Sequence, residues 1–179
     1  MKSKLLLIAA AVLGLIACEG LTTINIDTVL SKSLSVEVLN NTELIRGDVK
    51  STSELSFPFY ETDTINLKEN DDLNEYLDKI NEMEVYKVTC KISGLTQGQT
   101  VQELTVFCPT IGVELPLFDI TEFNTEIDLE ASGEMLKSVG EYLLQYEELI
   151  VGVKGFVSNA PLDFKVELNF ETKVKASAL

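Results

Sequence analysis

The chain of 179 residues contains no histidine and no tryptophan. The first absence removes Ser-His-Asp and Cys-His nucleophiles, imidazole metal ligands and histidine proton shuttles. The second leaves only Tyr and Phe as rings on which a sugar could stack. Cysteine is scarce: Cys18, Cys90 and Cys108 are the full set. Without histidine or a C-x-x-C spacing they do not compose a zinc site. The sequence has no Walker-type glycine loop, dinucleotide fingerprint or EF-hand loop, so no cofactor is implied. Basic side chains are few, 14 Lys and Arg against 29 Asp and Glu. Such a chain is repelled by phosphate backbones and anionic head groups, which argues against a nucleic-acid partner.

What the sequence does have begins at its start. Lys2 and Lys4 precede one apolar run, Leu5 to Ile16, and Ala17 and Cys18 follow. A basic segment, an apolar segment too short to span a bilayer and a small residue at the boundary are the layout of a secretory signal. Residues 1–17 are therefore expected to be a signal peptide, cut between Ala17 and Cys18. The tetrapeptide Leu15-Ile16-Ala17-Cys18 resembles a bacterial lipobox. That resemblance implies a diacylglyceryl group on the Cys18 thiol, cleavage before Cys18 and acylation of the new amine. Several acyl chains hold firmly where one holds marginally. Residues 18–19 then form the lipidated N-terminus and a short spacer, with almost no tether before the alternating run "LTTINIDT".

Residues 18–179 number 162, enough for one domain with a substantial core. Loss of Lys2 and Lys4 takes the 14 basic residues to 12 against 29 acidic, a formal charge of −17. Period-two alternation marks many half-buried strands. "SLSVEVLN" aligns Leu34, Val36 and Val38, and "SELSFPFYE" aligns Leu55, Phe57 and Phe59. Pro58 points to an edge or a bulge. "EVYKVTCKI" aligns Tyr86, Val88, Cys90 and Ile92, and "VQELTVFC" aligns Leu104, Val106 and Cys108. "IGVELPLF" and "TEFNTEIDL" follow, the latter with Phe123, Ile127 and Leu129 on one parity. "ELIVGVKGFVS" and "DFKVELNFETKVKA" close the chain.

Two segments carry helical periodicity instead. In "NDDLNEYLDKINEM", residues Leu73, Tyr76, Leu77 and Ile80 form one apolar stripe, with Asn70 placed to cap it. In "SGEMLKSVGEYLLQYEEL" the stripe is Leu136, Val139, Leu143 and Tyr146, with Ser132 as cap. Gly133 and Gly140 weaken the second helix, an interior glycine by up to about 1 kcal/mol. The expected fold is mainly β: an antiparallel β-sandwich, immunoglobulin-like or jelly-roll-like, with two short amphipathic α-helices in a single domain, residues 20–179.

An oxidising compartment permits a disulfide between Cys90 and Cys108. Were their strands a hairpin around "GLTQGQT", Cys90 would face the neighbourhood of Leu104 and Cys108 that of Tyr86. The sulfurs would sit four residues out of register, on the order of 13 Å, so two buried thiols are favoured over a bridge. The acidic group Glu69, Asp71, Asp72 and Glu75 is the densest, and reads chiefly as a hydrated helix start rather than a Ca²⁺ site. "SFPFYE" is an aromatic cluster, read as core at Phe57 and Phe59 and as rim at Tyr60. Asn40-Asn41-Thr42 matches an N-glycosylation sequon. Asp27-Thr28-Val29 and Asp63-Thr64-Ile65 are similar to the O-glycosylation motif of Bacteroidota.

The "LIAC" boundary, the short spacer and the "YLDKINEMEVYKVTCKI" unit together resemble small β-sandwich lipoproteins of the Bacteroidota. The resemblance implies an address and a fold class, not an activity. The functional expectation is a lipid-anchored cell-envelope protein, a non-catalytic binding or structural module that docks another envelope protein. The alternatives are a small-ligand or glycan-binding lipoprotein and, less favoured, a carboxylate-dependent hydrolase. Its partners would be the membrane, through the anchor, and an envelope protein. It would face the periplasm rather than the cell surface, on either the inner or the outer membrane. Replacing Cys18→Ser should abolish incorporation of radiolabelled fatty acid and leave the signal peptide uncut; label retained on the serine variant would refute the lipobox assignment.

Overall fold

The computed structural model describes residues 23–39, 56–123 and 125–178. Two four-stranded antiparallel sheets enclose a common core. The strands are β1 (Thr23–Val38), β2 (Phe57–Asn66), β3 (Ile80–Ser93), β4 (Val101–Cys108), β5 (Val113–Ile120), β6 (Glu126–Asp128), β7 (Glu148–Val157) and β8 (Leu162–Ser177). Among the described residues one α-helix, α1 (Gly133–Tyr146), lies between β6 and β7. Sheet A has the order β1-β8-β3-β6 and sheet B the order β2-β7-β4-β5. The pairing is nested. β1 pairs with β8, β2 with β7, β3 with β6 and β4 with β5. Two further ladders, β3 with β8 and β4 with β7, join these pairs into sheets.

β8 shows why the sheets form. Leu162, Phe164, Val166, Leu168, Phe170, Thr172, Val174 and Ala176 are all buried, and the residues between them point outward. A strand with this alternation can satisfy the core on one side only, which pins its register. Across the core the Phe59 ring of β2 meets the Phe164 ring of β8 edge-on, centroids 5.4 Å apart. At the margin, Lys32 of β1 reaches Asp63 of β2 at 3.1 Å. The Asp63 carboxyl is held below its ordinary range, first by the Thr64 backbone N–H and then by Lys32.

The two sheets differ in height. β1 and β8 pair over sixteen residues each, from Thr23↔Ser177 at the lower end to Val38↔Leu162 at the upper end. β2 and β7 pair over only ten. Because Phe59 meets Phe164, and Phe164 pairs with Val36, sheet B lies against the upper part of sheet A. The lower part, including Met83, Val85 and Val174, needs another cover. The helix and the Leu67–Lys79 segment provide it, inserting Val139, Leu143, Leu67 and Leu73 into the same core. Burying each such aliphatic side chain contributes roughly 1.5–3 kcal/mol. Ser132 caps the helix by accepting from the Met135 N–H at 3.2 Å, as its position in the sequence predicts.

Four expectations are corrected. The segment from Asn70 to Met83 is not an α-helix. It is a run of turns with a single 3₁₀ turn at Leu77–Lys79, and β3 begins at Ile80. Pairing with β8 recruits Ile80 onward, which leaves too few residues for a helix to propagate. Asn70 therefore caps a turn, not a helix, accepting from the Asp72 N–H at 3.0 Å. Secondly, β3 and β4 are not a hairpin; "GLTQGQT" carries the chain from sheet A to sheet B. Thirdly, Tyr86 points outward. A bulge between Val85 and Lys87 shifts the parity and turns Val85 inward in its place. Finally, Phe123 lies in a turn before β6 and is 89% exposed.

Gly140 provides a test of the helix seat. A Cβ there would stand 2.6 Å from the Met83 carbonyl oxygen, so helix and strand touch backbone to backbone. Gly140→Ala should destabilise the protein by about 1–3 kcal/mol despite alanine's better helix propensity. Gly133→Ala, which meets nothing within 4 Å, should be neutral or stabilising. Thermal melts of the two variants check the reversal of sign.

Candidate functional site

The two outward faces have opposite chemistry. On sheet A the outward side chains of β8 include Lys165, Glu167, Asn169, Glu171, Lys173 and Lys175. They are largely paired with their neighbours. Lys175 contacts Glu82 at 2.8 Å, Lys87 contacts Asp128 at 2.9 Å, and Lys173 stands 5.0 Å from the Tyr86 ring centroid. Such exposed pairs contribute little to stability, but they make a hydrated face.

The outer face of sheet B is aromatic. Its register sets side chains in rows across the four strands. Uppermost is Pro58–Phe156–Glu103–Phe118, next is Tyr60–Lys154–Thr105–Pro116, and below it Thr62–Gly152–Phe107–Glu114. Tyr60 is 62% exposed, Phe118 63% and Phe156 41%. Phe107 also points outward yet is only 4% exposed. It lies on Gly152, where an added Cβ would fall 2.5 Å from the ring's Cζ, so β7 needs a glycine there. Tyr60 covers the Phe107 ring at 5.2 Å between centroids. Lys154 covers it at 5.4 Å while pairing with Glu114 at 2.7 Å. The result is a layered platform, with a buried ring beneath an exposed ring and an ammonium.

Sequence reasoning grouped Phe57, Phe59 and Tyr60 and the structure divides them. Phe59 joins the core, Phe57 is half-buried and Tyr60 faces out. Phe107, Phe118 and Phe156 were not singled out. The signal was their parity: each occupies the strand position alternate to its core neighbours Val106, Leu117 and Val157.

Two other regions carry less. A polar cleft of about 440 Å³ lies between the margins of β1 and β2 and the turn that follows, lined by Lys32, Asn66, Glu69, Asn70, Asp71 and Asp72 among others. Several polar groups at it are bonded within the chain. Thr28 donates to Asp72 at 2.7 Å, and Asn70 Nδ2 donates to the Val29 carbonyl at 3.3 Å. The cleft thus fastens the turn to β1, and it occupies the Thr28 hydroxyl of the Asp27-Thr28-Val29 motif. Among the described residues no group of three His, Cys, Asp or Glu has metal-binding geometry, so Glu69, Asp71, Asp72 and Glu75 do not assemble one. An apolar void of about 20 Å³, lined by Cys108, Val113, Met135 and others, has no polar partner for a water. The outward carboxylates Glu103 and Glu114 stand four residues apart along the sheet. That is about 13 Å, beyond the span of a glycosidase pair.

Cys90 and Cys108 are free and buried, on different sheets. Burial pushes the Cys90 thiol up to about 12 and the Cys108 thiol up to about 11. Ala17, Cys18, Leu55 and the sequon Asn40-Asn41-Thr42 lie outside the described residues.

No family model matches the chain, and no curated protein matches its sequence. Among solved structures, a chain from Desmodium yellow mottle tymovirus is similar over 86% of this chain and 84% of that one, at 9% identity and a TM-score of 0.33. At that TM-score the likeness assigns neither fold nor function.

Both thiols should resist alkylation at pH 8 in the folded protein and react within minutes in denaturant, because the thiolate is the nucleophile. Unfolded, they lose their protons near 9.0. Folded, they keep them up to about 11 and about 12, so their contribution to stability is lost as pH rises from about 9 through those values. Denaturant midpoints of wild type and Cys90→Ala, measured from pH 8 to 11, check this: the variant should show the smaller decline.

Proposed function

We propose that this protein is a lipid-anchored cell-envelope docking module, a non-catalytic jelly-roll β-sandwich that holds another envelope protein at the membrane. The observation that carries the docking is the asymmetry of the two sheets. One outward face sets ion pairs around a single exposed ring, Tyr86. The other leaves Tyr60, Phe118 and Phe156 in water. Contiguous exposed rings cost solubility and are characteristic of surfaces that meet a partner. The jelly-roll reading rests on eight strands in nested antiparallel pairs, first with last and inward to the fourth with the fifth.

The anchor reading rests on the sequence at Leu15-Ile16-Ala17-Cys18, and the fold is compatible with it. Only four residues, 19–22, separate Cys18 from β1, so the lower end would sit against the bilayer. Phe59, next to Tyr60, is level with Val36, thirteen residues above Thr23. At strand rise the aromatic face would stand about 40 Å above the lipid, facing the periplasm. A glycan-binding role is the second reading, favoured by the Tyr60–Phe107 stack.

Cross-linking in intact cells followed by mass spectrometry, comparing wild type with Cys18→Ser, tests the proposal. One specific envelope protein recovered only with the lipidated form is the expected result. No reproducible protein with either form would sink it and turn attention to glycans screened against the whole protein.

A further inference from the structure

The row Phe156–Glu103–Phe118 sets a carboxylate between two exposed rings. Glu103 pairs with Phe156 in one ladder and with Phe118 in the other, and its side chain shares their outward face. Adjacent strands are about 4.8 Å apart, so the two rings are rooted roughly 10 Å apart with the acid midway. No described residue forms an ion pair or side-chain hydrogen bond with Glu103. The nearest cation on this face, Lys154, is already engaged by Glu114 at 2.7 Å. Elsewhere several lysines are paired with acids, as at Lys175–Glu82 and Lys87–Asp128. An acid left open among aromatic rings lacks a cation, and no described residue supplies one.

We propose that this row is the receptor for an arginine of the docked protein, presented on a basic surface with an apolar centre. The inference rests on the docking reading above and specifies its partner. A guanidinium above Glu103 makes a charge-assisted pair with the carboxylate. From the same place it lies within about 6 Å of both ring positions, close enough for cation–π attraction. Its flat, weakly hydrated plane suits this seat better than an ammonium does. Charge selects the occupant further. The acidic excess of the chain, 29 acids against 14 bases, opposes a second copy of itself and opposes anionic head groups, and it attracts a basic protein.

The test places the photo-reactive amino acid benzoyl-phenylalanine at Tyr60, beside the row, in the full chain expressed in cells. A control carries it at Ser33 on the outward face of sheet A. The expected result is a protein adduct from position 60 and none from position 33, with the adduct's contact peptide containing arginine. Adding Glu103→Gln should lower the yield about tenfold, the order for one charge-assisted hydrogen bond. Glu103→Asp should recover part of it, and Phe118→Ala should lower it too. Glu103 and Phe118 are solvent-accessible, so unchanged thermal midpoints should show that the fold is intact. A protein adduct indifferent to Glu103→Gln would overturn the arginine seat while leaving the docking reading standing. A second copy of the chain, a lipid or a glycan as the adduct, or no adduct from position 60, would overturn both.

Discussion

The ladder between β1 and β8 is the constraint on which the rest of the molecule depends. Sixteen residues of each strand pair without a register shift, and β8 lies between β1 and β3. Nothing else in the fold is as long. Its length sets the height of sheet A, and its inward row of aliphatic and aromatic side chains sets the core that other elements must cover. It also joins the first strand to the last, so native pairing requires contacts distant in sequence, with the loop-closure cost that such contacts carry.

From that height follows the division of labour. Sheet B shields the upper core, while the helix and the turns before β3 shield the lower. The helix is seated by contact rather than by propensity, since Gly140 lets its backbone rest on the Met83 carbonyl. The same economy of space operates on the outside of sheet B. Gly152 makes room for Phe107, and Phe107 in turn supports Tyr60 and Lys154. The platform is therefore part of the sheet's packing, and its exposed rings are held in place from below.

Much of the strand pattern was legible because burial on one side imposes period two. β1, β7 and β8 follow it, and the Ser132 cap and the Val139–Leu143 stripe of α1 are equally plain. The errors have separate sources. Tyr86 was misplaced because one bulge inverts parity, and no residue type announces it. The stripe from Leu73 to Ile80 is truly apolar, yet β8 offers Ile80 and Met83 a better partner than a helix turn does. The presumed hairpin failed because "GLTQGQT" serves a change of sheet as readily as a turn within one. The aromatic face stayed hidden for a different reason. Its rings come from β2, from the β4–β5 hairpin and from β7, segments distant in sequence that only the nested pairing sets side by side.

The direction in which β1 and β8 run has a mechanical consequence. Their hydrogen bonds lie across the strand axis. Pulling the lower end of β1 against a grip on the upper, outward face of sheet B would load that ladder along its length. The bonds would then bear the force together, in shear, instead of opening one after another like a zip. Were the protein tethered at one end of this ladder and gripped near the other, it would transmit tension before it unfolded.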